Sequence, residues 1–90
     1  MDERFKKTLR GRVISSSGYS VRIIGRTGLQ YIDTSGELRI DSEAMAGPGI
    51  EVVVYVRSIP DSENRPRQQV LDNLARAFEF AGWTLSLEFT

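Results

Sequence analysis

Histidine and cysteine are both missing from these 90 residues, which removes the commonest general base, the thiol nucleophile and the usual transition-metal ligands together. Neither a Ser-His-Asp nor a Cys-His arrangement can be assembled, and zinc would be left with an all-oxygen site that proteins seldom use. Carboxylates remain. Asp33, Glu37 and Asp41 recur at even spacing, but Arg39 stands among them and a two-stranded hairpin offers no cleft in which a carboxyl pKa could be raised. They read as a solvated strand face. Gly25-Arg26-Thr27-Gly28 has the glycines of a phosphate loop, yet no Gly-Lys-Ser/Thr and no helix follow, so a hairpin turn accounts for it better. The chain is therefore expected to be no enzyme and to hold neither cofactor nor metal.

Charge points to a binding role of limited kinds. Twelve basic and twelve acidic residues cancel, whereas dedicated nucleic-acid binders carry a basic excess. The balance is uneven along the chain. Residues 1–26 hold Arg4, Lys6, Lys7, Arg10, Arg12, Arg22 and Arg26 against Asp2 and Glu3, a net +5, which leaves −5 for the rest. The start reads as a flexible basic arm over residues 1–8, with one aromatic, Phe5, and the alternative function is a small regulatory or nucleic-acid-associated domain that uses this arm. It lacks the apolar core of a signal peptide, and no long apolar run follows. A cytoplasmic protein without membrane contact is expected.

Ninety residues support one core, so residues 9–90 read as a single domain. Ser16-Ser17-Gly18, Arg26-Thr27-Gly28 and Thr34-Ser35-Gly36 each end in glycine between strand-like runs, the mark of three-residue hairpin loops closed by a left-handed residue. They predict a four-stranded antiparallel meander from about Leu9 to Glu43. Gly47-Pro48-Gly49 interrupts it. Ile50 to Arg57, apolar on both faces, predicts a deeply buried fifth strand. Residues 59–65 read as a polar loop and the most mobile segment. From Pro66 the period changes. Val70, Leu71, Leu74, Ala75, Phe78 and Ala81 recur at helical spacing, Gly82 supplies the stop, and Thr84 to Phe89 alternates as a last strand. The fold class is α+β: an antiparallel sheet of five to six strands, one C-terminal amphipathic helix on one face, and a final strand.

If every loop has three residues, Val13, Tyr19, Val21, Ile23, Leu29, Tyr31, Asp33, Glu37, Arg39 and Asp41 share one face, and Arg12, Ile14, Arg22, Ile24, Gln30, Ile32, Leu38 and Ile40 the other. A two-residue loop would exchange the faces beyond it. Aliphatic content assigns the helix to Ile14, Ile24, Ile32, Leu38 and Ile40. The opposite face is then an uncovered surface, with Leu29 and Tyr31 at its centre and Asp33, Glu37 and Asp41 as a charged rim. Such a face suits a partner protein, or a second copy in a homodimer; equally, the long loops or the N-terminal arm could fold over it and make it a second minor core.

Gly28-Leu29-Gln30-Tyr31, Ile40-Asp41-Ser42-Glu43-Ala44-Met45-Ala46-Gly47-Pro48-Gly49 and Val53-Val54-Tyr55-Val56-Arg57-Ser58-Ile59 resemble the Immunity protein 74 family, small bacterial proteins predicted to neutralise polymorphic toxins. Ala81-Gly82-Trp83 and the closing strand resemble the way such chains end, and Glu43 with Gly47 is the most distinctive pair. Members carry an aromatic, proline-rich segment after the fifth strand, where this chain has Pro60-Asp61-Ser62-Glu63-Asn64-Arg65-Pro66. The resemblance implies a cognate toxin as partner and neutralisation by occlusion. Contact residues expected from the face and the motif together are Leu29, Tyr31, Asp33, Glu37, Asp41 and Glu43.

Overall fold

A computed structural model describes residues 2–89. Among them the architecture is α+β, a seven-stranded sheet in the order β1-β2-β3-β4-β5-β6-β7. The strands are β1 (Phe5–Lys7), β2 (Val13–Ser15), β3 (Ser20–Ile24), β4 (Gly28–Asp33), β5 (Gly36–Met45), β6 (Glu51–Tyr55) and β7 (Thr84–Glu88), with helix α1 (Arg67–Ala81) between the last two. All neighbours are antiparallel except β6 and β7. The segment expected to be a free arm supplies β1, in which Phe5, Lys6 and Lys7 pair with Ser15, Ile14 and Val13. Phe5 alternates inward, stacking on Phe80 at 5.2 Å and meeting Tyr19 edge-on at 6.5 Å, which a solvated arm could not do. Met1 of that arm and Thr90 lie outside the described residues.

The three turns differ in kind. Ser15 and Tyr19 bracket a three-residue loop with Gly18 left-handed at φ 98°, as expected. The second loop also has three residues but is shifted by one: Ile24 pairs with Gly28, and the left-handed residue is Gly25. At the third, Asp33 pairs with Gly36, so only Thr34 and Ser35 connect the strands. Ser35 N–H donates to the Asp33 carboxylate at 2.8 Å, tightening that turn. This one-residue difference reverses the parity of β5: Leu38 and Ile40 join Tyr31 and Leu29, and Glu37, Arg39 and Asp41 pass to the other side.

The helix covers the face opposite to the one expected. Val13, Val21, Leu29, Tyr31, Ile40, Val52 and Val54 lie almost wholly buried against Val70, Leu74, Ala77 and Phe78. The helical stripe runs through Ala77, while Ala75 is exposed. Ile14, Ile24 and Ile32 are half-exposed on the far side. Two causes select this outcome. Arg12 and Arg22 alternate with those isoleucines and would need desolvation under a helix. Tyr19 and Tyr31, by contrast, supply large rings that stack at 5.9 Å and fill the space between helix and sheet.

The helix is held at both ends. Arg67 N–H at its start donates to Asp61 Oδ1 at 3.0 Å, and Arg67 Nε to the Ile59 carbonyl at 2.7 Å. Gly82, left-handed at φ 77°, lets Trp83 N–H return to the Phe78 carbonyl at 2.9 Å. The polar loop before the helix, expected to be the most mobile segment, is tied to the sheet. Arg65 bonds both Asp33 oxygens, at 2.8 and 3.2 Å, and the Gly36 carbonyl at 2.8 Å.

Candidate binding face

Alternation along β1 to β7 places one side chain in two on the uncovered face, and the strand order then sorts them by charge. On the β1–β3 side stand Lys6, Arg12 and Arg22; on the β5–β7 side stand Glu37, Asp41, Glu43, Glu51 and Glu88, with Arg39 the one cation among them. Ile14, Ile24, Ile32 and Val53 lie between, half-exposed. A polar chain crosses four strands. Arg12 reaches Ser20 at 3.2 Å and the Gln30 carbonyl oxygen at 2.7 Å; the Gln30 amide donates to Glu37 at 2.9 Å, and Arg39 Nε to the same Glu37 oxygen at 3.2 Å. Those donors hold the Glu37 carboxyl below the ordinary carboxylate range. Further along, Tyr55 donates its hydroxyl to Glu43 at 3.0 Å, and the bond to that carboxylate raises the phenol's pKa. The Arg22 guanidinium and the Asp41 carboxylate have no hydrogen-bond or ion-pair partner among the described residues.

The six expected contact residues are divided by this geometry. Leu29 and Tyr31, 0% and 1% exposed, lie beneath the helix and are core, not interface. The reason is the covered face itself, since the aromatic side is the one the helix takes. Asp33 belongs to the same side, where it pairs with Arg65, whose guanidinium stands 6.0 Å from the Tyr31 ring. Burial would raise the Asp33 pKa, but the Arg65 bonds and the Ser35 N–H outweigh it and the net shift is downward. Glu37, Asp41 and Glu43 are exposed together on the far face. Arg12, Arg22, Arg39, Ile24, Ile32 and Tyr55 join them there. For Arg12 and Arg22 the sequence held a usable signal: arginines interleaved with isoleucines at period two mark a face that meets water.

A second polar cluster lies under the helix and ties it to the sheet. Glu3 accepts from Ser15 and from Arg76 Nε, the latter at 2.8 Å, Arg76 also donates to Asn73, and the Asn73 amide donates to the Tyr31 hydroxyl at 2.9 Å. The Tyr19 hydroxyl, buried beside them, has no hydrogen-bond partner among the described residues. Its burial, with the Glu3 charge nearby, pushes its pKa up to about 12. Burial would likewise raise Glu3, yet Ser15 and Arg76 bring it below the ordinary value. Each charge here has its counter-charge, so the cluster holds no poised acid or base.

A hollow of about 510 Å³ is an open groove at one end of the helix side, lined by Lys7, Arg10, Ile23, Met45, Ile50 and Trp83 among others. Lys7 stands over the Trp83 ring at 5.3 Å. Among the described residues that line this groove none is a carboxylate. Among the described residues no three acidic side chains converge as a metal site would require, and no helix is long and apolar enough to cross a membrane. Comparison with protein-family models, curated proteins and solved structures gives no match to this chain.

Proposed function

We propose that this protein is a non-catalytic binding module that neutralises a bacterial toxin by covering its active cleft, with the uncovered sheet face as the contact surface. The observation that carries the reading is that face: isoleucines at its centre, opposite charges at its two sides, and Arg22 and Asp41 on it without a side-chain partner among the described residues. An apolar centre with a charged border is the usual anatomy of a protein interface. The resemblance to Immunity protein 74 supplies the class of partner, and the acidic β5–β7 side suits a toxin whose substrate cleft is basic, because opposite fields speed encounter. The basic arm that a nucleic-acid reading requires is engaged as β1, with Phe5 packed inside.

The test is co-expression with a toxin encoded beside this gene. Ile32→Asp, at the apolar centre, is expected to abolish protection while leaving the far-ultraviolet circular dichroism unchanged. Asp41→Lys is expected to slow association at low salt. Full protection by a folded Ile32→Asp protein would show that the far face is not the contact surface.

A further inference from the structure

The two edges of the sheet are built differently. β1 is three residues long, and two of them are lysines, a charged, short edge of the kind that resists pairing with another chain. β7 has five residues, Thr-Leu-Ser-Leu-Glu, followed by Phe89. It carries no lysine, proline or bulge, and Leu87 and Phe89 remain 38% and 64% exposed beside it.

The ladder fixes which backbone groups this edge offers. Thr84 N–H donates to the Ile50 carbonyl at 2.8 Å, and Thr84, Leu85, Ser86, Leu87 and Glu88 then run parallel to Glu51–Tyr55. In a parallel pair alternate residues of a strand bond to the neighbour. Thr84, Ser86 and Glu88 therefore face β6, and Leu85 and Leu87 turn their N–H and C=O groups outward, as does Phe89 if the strand path continues.

We propose that β7 is the docking edge for a second copy of this chain, pairing antiparallel with the same strand around Leu87. Outward-facing residues must stand opposite outward-facing residues, which centres at Ser86, Leu87 and Glu88 all satisfy; a centre at Glu88 would set the two Glu88 carboxylates against each other, and a centre at Ser86 would leave Phe89 without a partner. A centre at Leu87 places Leu87 opposite Leu87 and Leu85 opposite Phe89, so the exposed apolar side chains of both copies meet on the helix side. Glu88 falls opposite Ser86 of the second copy, and no like charges confront one another. The operation is two-fold and closed, joining two sheets into one without opening a path to fibres. It leaves the far face free, so it stands apart from the toxin-binding reading.

The contact is small, and a dissociation constant of roughly 10–100 μM is expected. Sedimentation equilibrium of the full chain should show a monomer–dimer equilibrium that Leu87→Lys weakens at least tenfold with unchanged circular dichroism. Because the chain has no cysteine, site-specific cross-linking supplies a check independent of folding defects. Under mild oxidation Leu87→Cys should form a covalent dimer faster than Ile24→Cys on the far face. A wild-type mass of one chain at about ten times the upper limit of that range, or faster cross-linking at Ile24, overturns the proposal.

Discussion

The same strands present two faces with opposite solutions to the same problem. Toward α1, residues such as Leu29, Tyr31 and Ile40 are sealed from water, and the Tyr31 hydroxyl among them accepts from the Asn73 amide. Away from α1, Ile24 and Ile32 alternate with Arg22 and Gln30, and polar contacts run side by side along the surface instead of inward. The difference teaches that aliphatic count alone does not decide which face a single helix covers. What decides is whether the intervening residues can be desolvated, and arginines cannot be at an acceptable cost.

The largest expected difference between the faces is in side-chain truncation. Leu29→Ala, at a site with no exposure, should cost about 3 kcal/mol in urea unfolding, whereas Ile32→Ala on the far face should cost about 1 kcal/mol. Equal losses would mean that the far face is also covered in solution. Next comes the clip between sheet and loop. Arg65→Ala removes three hydrogen bonds, two to Asp33 and one to Gly36, and should cost about 2 kcal/mol.

That clip also sets an acid limit. The Asp33 pKa is lowered from its ordinary 3.8 in the folded chain, so the unfolded state binds protons first as pH falls. Its contribution is complete above that value and is lost as pH drops through the lower folded one. A pH series of urea midpoints should therefore fall less steeply below about pH 4 in Arg65→Ala than in the parent.

The two stacked tyrosines give a finer contrast within the covered face. Tyr31→Phe deletes the acceptor of the Asn73 amide and should cost about 1 kcal/mol. Tyr19→Phe deletes a hydroxyl with no partner among the described residues and should be neutral or stabilising by a few tenths of a kcal/mol. A larger loss for Tyr19→Phe than for Tyr31→Phe in thermal unfolding would reverse this assignment. Smallest of all, Arg22→Glu should change stability by less than about 0.5 kcal/mol, since nothing described depends on its guanidinium.

The helix, its stop at Gly82 and the strands either side of it were legible because their periods are long and uninterrupted: Val70, Leu74 and Phe78 repeat over the whole of α1, and Leu85 and Leu87 alternate through β7. The first hairpin loop was legible for the same reason, with Gly18 where a left-handed residue is needed. The third was not. Thr34-Ser35-Gly36 looks like the first loop by composition, and only the pairing of Asp33 with Gly36 removes one residue from the connection. Because the period is two, that single residue moved Glu37 and Asp41 away from Tyr31. β1 was obscured by its lysines, since its one apolar residue is Phe5 and its pairing depends on a strand eight residues away.

The parallel pairing of β6 with β7 has a consequence for how the molecule assembles. Most other neighbours in the sheet are joined by tight turns, so their contacts close small loops. β7 can reach Val52 and Val54 only after the chain has crossed the sheet through α1, a much longer closure that must be met before any ladder bond forms. Its ordering is thereby coupled to docking of the helix. The amides of Ser86 and Glu88, although they bond within the sheet, should lose exchange protection together with those of α1 and ahead of those between β3 and β4.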